Sequence, residues 1–204
     1  GYLGDARKLS KRGISEATCE KYKIYRDGDK LRFHYHTKEG RLIGAKTKTK
    51  NKIFSFQGEA NGDLYGMHLF RPGKKVIITE GELDAASCYE VQPGWPCVSV
   101  PTGAQGAKKA IQKNLEWLQG FDKIILFFDS DEPGQKAAKE AASVLPPGKA
   151  YIATLEDYKD ASDALQHGKS ELIRAAMNYD HEEFRPDGIV NAKTLLDLVT
   201  TPQP

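Results

Sequence analysis

Residues 121–134 read FDKIILFFDSDEPG. An apolar run from Ile124 to Phe128 ends abruptly in Asp129, Ser130, Asp131 and Glu132. A run that is apolar at every position, with no alternation, marks a strand buried on both faces, as in a parallel sheet covered by helices. Pro133 and the alanine-rich stretch after it predict a helix directly beyond the strand. Three carboxylates in four positions are unfavourable together, because like charges raise one another's pKa. Either they stand in water as a helix cap or something positive holds them.

The same strand-then-helix rhythm recurs on both sides. VIIT (76–79) precedes a helical EGELDAASCYEV. CVSV (97–100) precedes the loop PTGAQG and a helical AKKAIQKNLEWLQ. PGQKAAKEAASVL follows KIILFF, and KAYIATL (149–155) is a fourth strand. This order predicts a mostly parallel sheet flanked by helices. DASDALQHGKSELIRAAMNYD (160–180) predicts helices beyond it. Upstream, SKRGISEATCEKY (10–22) reads as a short helix capped by Ser15. KIYRDGDKLRFHYHT, RLIGAKTKTK and KIFSFQG alternate and are punctuated by Asp27-Gly28 and Glu39-Gly40, which predicts a small antiparallel sheet. Residues 59–75 read as an irregular connector. The expected fold is α/β: a mostly parallel sheet flanked by helices, preceded by a small α+β subdomain with an antiparallel sheet. The expected boundaries are 1–72, 73–180 and a linker at 181–204.

The 204 residues are 39% hydrophobic and 28% charged, which fits a globular chain. No apolar stretch approaches the ~20 residues that span a bilayer, and the first residues carry no apolar signal core. The three cysteines, Cys19, Cys88 and Cys97, form no CxxC pair and cannot build a zinc ribbon. They read as free thiols in a reducing compartment. A net charge of +2 excludes a wholly basic nucleic-acid coat, yet residues 38–52, KEGRLIGAKTKTKNK, hold six basic side chains and one acidic.

Ligands of open parallel sheets lie beyond the carboxyl ends of the strands. Glu80 follows VIIT, and Asp129 and Asp131 follow KIILFF. If those strands are neighbours, the carboxylates converge, and a divalent cation relieves their repulsion. Oxygen ligands without His or Cys select a hard ion such as Mg2+, with Mn2+ as a substitute. Phosphoryl chemistry follows from such a site. The competing reading makes Asp131 the N-cap of the next helix and Glu80 a turn residue. In GAKTKTKNKIF (44–54), Lys46, Lys48, Lys50 and Lys52 fall at period two and would line one face of a strand, suited to a polyanion. The alternative is a solvated edge strand guarded by lysine. Gly103, Lys108 and Lys109 lie in a glycine loop opening a helix. It could bind phosphate, or be only a tight turn. No full GxxxxGK[ST] motif occurs, because the Gly168-Lys169-Ser170 triplet has Asp163 where the first glycine would stand, so no Walker A loop is present. His34 and His36 read as the polar face of a half-buried strand.

TEGELDA followed 49 positions later by FDSDEPG resembles the TOPRIM domain of primases, topoisomerases and some nucleases, whose hallmark is a glutamate after one strand and a DxD after another. RGISEATCEKY, TGAQGAKKAIQKNLEWL, DKIILFFDSDEPGQKAAKEAASVLPPGKA and YKDASDAL extend the likeness. Together they resemble the RNA polymerase (primase) domain of bifunctional primase–helicases of T7-like phages, whose layout mitochondrial replicative helicases share. The resemblance implies catalytic Glu80, Asp129 and Asp131 and metal ligands among these and Asp160. Asp160 has the alternative of capping the next helix. Glu82 and Asp84 match further acidic positions, either orienting the metal shell or favouring a helix dipole. Lys46 and Lys52 match basic positions facing the active site. The implied activity is magnesium-dependent, DNA-templated synthesis of RNA primers from NTPs in DNA replication. The implied partners are single-stranded DNA template, NTPs and RNA primer, an upstream zinc-binding domain, a downstream hexameric helicase domain and a replicative DNA polymerase, with no membrane. The implied setting is intracellular: phage-infected bacterial cytoplasm, or alternatively a mitochondrion. The rival functions are a TOPRIM nuclease and a non-catalytic nucleic-acid-binding module.

Overall fold

The computed structural model describes residues 8–51, 53–59 and 62–186. Helix α1 (Glu16–Tyr22) begins where expected, with Ser15 Oγ accepting a hydrogen bond from the Thr18 N–H at 3.3 Å. Strands β1 (Ile24–Asp27), β2 (Lys30–His36), β3 (Leu42–Lys48) and β4 (Phe54–Gly58) form an antiparallel sheet in that order. The Asp27-Gly28 signal is a tight turn, with Gly28 at φ +59° between the paired Asp27 and Lys30.

Strand β3 ends at Lys48. Beyond it the Thr49 N–H bonds the Ile53 carbonyl at 3.0 Å and the Ile53 N–H bonds Thr49 Oγ1 at 3.2 Å, closing a hairpin turn. Lys46 and Lys48 therefore share a face, as period two demands. Lys50 sits in the turn instead of continuing the row, and Lys52 lies outside the described residues.

The second sheet contains β5 (Lys75–Thr79), β6 (Cys97–Ser99), β7 (Lys123–Phe127), β8 (Ala150–Ile152) and a short β9 (Glu182–Glu183), in the order β6-β5-β7-β8-β9. All neighbours are parallel except β8 and β9. Glu182–Glu183 thus adds an edge strand from residues that the sequence assigned to the linker. Both faces of the sheet are covered, which is why its strands are apolar throughout. Val76, Ile78, Ile124 and Leu126 pack under α3 (Gly103–Lys113), the short α4 (Leu115–Leu118) and α5 (Glu132–Ala142). Ile77, Ile125 and Phe127 pack under α6 (Ala161–Gln166) and α7 (Ser170–Asn178).

Helix α2 (Glu82–Val91) joins the two sheets. Its residues 82–88 are all buried, a sign that it is enclosed on every side. Cys88 faces the parallel sheet, while Leu83, Ala85 and Ala86 pack with Tyr22, Phe33, Tyr35 and Tyr65 of the N-terminal part. The connector also proves to be core: Leu64, Tyr65 and Met67 are buried, and Tyr65 bridges to Ser99 beside β6. The Tyr22 hydroxyl donates to the Cys97 carbonyl at 2.6 Å, tying α1 to the same strand. All three cysteines are free and buried.

Candidate active site

The two acidic strand ends are neighbours. β5 and β7 pair in parallel with Thr79 opposite Phe127, so both chains leave the sheet at the same level and Glu80 and Asp129 meet. Two further carboxylates join them. Asp84 arrives from the first turn of α2, and Asp160 from the turn before α6. One oxygen each of Asp84, Asp129 and Asp160 lies within 4.8 Å of the others, a set that can hold a metal ion.

Backbone groups hold this cluster in place. Asp84 Oδ1 accepts the Ser162 N–H at 2.9 Å, and Asp160 Oδ1 accepts the Asp163 N–H at 2.8 Å, capping α6. Gln135 Nε2 holds the Asp129 carbonyl at 2.9 Å. Ser130 fastens the neighbouring loop through its N–H to the Lys159 carbonyl and its hydroxyl to the Tyr158 carbonyl, both at 2.8 Å. Asp131 stands outside the close set. It is the N-cap of α5, with Oδ1 accepting the Gly134 N–H at 2.8 Å.

The environment resists negative charge. Asp84 is 5% exposed and Asp129 8%. Burial first, then Glu80 and Asp160, raise the Asp129 carboxyl to about 7, against the opposing Lys159 ammonium. Burial, then Asp160 and Asp129, push Asp84 well above the carboxylate range. Burial and then Asp131 raise Glu80, and Glu80 Oε1 is buried without a hydrogen-bond partner. The raised carboxyls of Glu80, Asp84 and Asp129 and the orphaned Glu80 oxygen, in an all-oxygen site, fit a hard divalent cation, which would supply the missing positive charge.

Glu82 points the other way. Its Oε2 accepts from Lys46 Nζ at 2.8 Å and from the Tyr35 hydroxyl at 2.5 Å. Lys46 Nζ also donates to the Pro101 carbonyl at 2.9 Å. The antiparallel sheet is thereby fastened to α2, and a cleft of about 960 Å3 opens between them. The carboxylates form one wall of it and Lys46, Lys48 and Lys50 part of the other. Gly103, at φ +71°, lies at the cleft's rim and opens α3, whereas Lys108 and Lys109 are exposed further along that helix and do not line the cleft. Arg12 and Lys159 line it too, and sequence reasoning missed both. The signal for Lys159 was its place directly before Asp160 in YKDASDAL.

Gly134 is required by close approach. A Cβ there would lie 2.4 Å from the Asp129 carbonyl oxygen and 2.9 Å from Asp131 Oδ1. Gly134→Ala is expected to destabilise by about 1–3 kcal/mol and to displace the Asp129 loop. A lowered melting temperature together with weaker divalent-ion binding would report this, and unchanged binding would show that the loop absorbs the methyl group.

A parallel sheet whose adjacent central strands end in such a cluster defines the class, and residues 77–165, which hold every carboxylate of the site, match the family described as Toprim-like. The DNA helicase/primase of Enterobacteria phage T3 is 37% identical over 202 residues, covering 94% of this chain and 34% of that protein. The primase fragment of the bacteriophage T7 primase–helicase matches with a TM-score of 0.80 and 38% identity, over 85% of this chain and 74% of that one. T7 primase domains solved with the lagging-strand DNA polymerase, an RNA/DNA hybrid and dTTP match at the same TM-score and identity, over 85% of this chain and 91% of that one. The chain belongs to the Toprim-containing primase domains of phage primase–helicases. It spans about a third of the length of the T3 protein.

Proposed function

We propose that this chain is the catalytic domain of a DNA primase, making short RNA primers on a single-stranded DNA template from NTPs in a Mg2+-dependent reaction. The observation that carries this reading is the cleft itself: a carboxylate cluster on one wall and cationic side chains on the other. In the reaction, the 3′-hydroxyl of one ribonucleotide attacks the α-phosphate of the next, and pyrophosphate leaves. Asp84, Asp129 and Asp160 would hold the cation, with Glu80 adjoining. When bound, Mg2+, or Mn2+ in its place, neutralises phosphate charge and makes the α-phosphate more electrophilic.

The protein's own groups complete the site. Glu80, raised by burial and by Asp131, is suited to take up the hydroxyl proton. Lys46, Lys48 and Lys159 supply positive charge at the phosphates. Asp131 orders the catalytic loop by capping α5. We assign residues 1–72 to a basic N-terminal subdomain and 73–184, through β9, to the Toprim unit, with the chain beyond leading toward a further domain. The relatives' names support a helicase domain and a replicative polymerase as partners. A zinc-binding domain upstream is proposed from the family resemblance alone. Among the described residues no helix is long and apolar enough to cross a membrane.

The test is incubation with single-stranded DNA and four NTPs, with and without Mg2+. Short RNAs that need both template and metal are expected. Cleaved DNA would assign a nuclease, and neither product a binding module.

A further inference from the structure

Two aromatic rings stand partly exposed in the cleft, although one of them, Phe56, also packs against Tyr35 and over Gly44. Phe54 and Phe56 lie on the edge strand β4 and are 51% and 37% exposed. Large apolar side chains on an exposed edge strand invite aggregation, so their presence calls for an occupant. Residues two apart on a strand share a face, which sets these rings side by side about 6.5–7 Å apart. The pairing of Lys46 with Phe56 and Lys48 with Phe54 puts both lysines on that face. Lys46 Nζ lies 4.7 Å and Lys48 Nζ 5.6 Å from the Phe54 ring centroid. The Phe56 ring is braced edge-on by Tyr35, at 5.5 Å and 68°.

We propose that Phe54 and Phe56 form a stacking platform for two consecutive bases of a single nucleic-acid strand in the cleft, with Lys48 and Lys50 at its phosphates. Aromatic faces interleaved with cations are what a single strand needs, since every base has a π-face and every linkage a charge. Two rings in line suit consecutive bases better than one free nucleotide. Cations beside the rings disfavour an apolar peptide. Lys50 is available for this, because its ion pair with Asp29 is long, at 3.8 Å, and both side chains are about four-fifths exposed. The choice of a strand as occupant rests on the primase reading above.

The test compares an oligonucleotide with an abasic strand of equal length, by fluorescence anisotropy in EDTA so that no catalysis intervenes. The unaltered protein is expected to prefer the base-bearing strand by about tenfold or more. Phe54→Ala/Phe56→Ala should abolish that preference by weakening the base-bearing strand alone, and Phe54→Trp/Phe56→Trp should restore it. A preference that survives in the double alanine variant would overturn the proposal. So would a loss of ATP binding with strand binding intact, which would assign the rings to the incoming nucleotide. Primer synthesis by the unaltered protein is measured alongside. Inactivity with an abolished preference would sink the primase reading and support the platform, whereas activity with an unaltered preference would sink the platform alone.

Discussion

Asp129→Asn is expected to abolish primer synthesis while raising the melting temperature of the metal-free protein at pH 8. The loss follows from position. Asp129 lies in the only carboxylate set among the described residues that can close on a metal ion, and a preorganised electrostatic group of this kind contributes about 10²–10³ in rate. The gain follows from burial. The folded protein holds Asp129 at about 7, raised first by desolvation and then by Glu80 and Asp160, whereas an unfolded aspartate titrates near ~4. The folded state therefore keeps a proton that the unfolded chain releases. The stability this contributes is full below about 4 and is lost as pH rises through about 7. At pH 8 an ionised Asp129 stands buried among like charges that Lys159 only partly offsets, and asparagine removes that charge. A rise of about 2–4 °C in metal-free buffer corresponds to about 1 kcal/mol for a chain of this size. A lower melting temperature, or retained synthesis, would contradict the assignment.

Lys46→Ala is expected to be the most destabilising of the lysine substitutions, by about 3–5 kcal/mol and on the order of 10 °C. Its ion pair with Glu82 is 2.8 Å long, with the side chains only 15% and 6% exposed. Removing the cation leaves a buried carboxylate to which the Tyr35 hydroxyl still donates, and it detaches the antiparallel sheet from α2. Lys48→Ala, one pair further along the same strand face, should change stability far less. Pairing Lys46→Met with Glu82→Gln should recover most of the loss, because the penalty is an uncompensated charge and not a missing attraction. Thermal unfolding of the three variants at pH 8 measures this directly. Equal melting temperatures for Lys46→Ala and Lys48→Ala would show that Lys46 acts only on substrate.

The parallel strands were legible because burial on both faces leaves its mark on every residue of KIILFF and VIIT. The cap at Asp131 was legible because Pro133 fixes where a helix begins. Strand order was not, since nothing local in VIIT says that its neighbour is KIILFF rather than KAYIATL. The convergence of Glu80 and Asp129 therefore depended on a condition that only the sheet supplies. Asp84 matches an acidic position of the TOPRIM resemblance, but the sequence leaves open whether it orients the metal shell or only favours the helix dipole. The small residues of α2, Ala85, Ala86, Ser87 and Cys88, were the missed sign that two layers press on the helix and bury its acids. The row of lysines was overextended because period two continues through Lys50 in the sequence, while the Thr49–Ile53 hydrogen bonds end the strand. β9 escaped because two glutamates carry no strand signal, and their pairing is dictated by the edge of β8.

Whether Asp84 of α2, Asp129 beyond β7 and the α6 cap Asp160 form one metal site beside Glu80 is decided by Mn2+ binding followed by electron paramagnetic resonance at pH 6 and pH 8. Because binding must displace the proton held by Asp129 near 7, the affinity should be about tenfold weaker at pH 6. It should be lost in both Asp84→Asn and Asp129→Asn. Binding that is indifferent to pH and survives both substitutions would place the metal elsewhere.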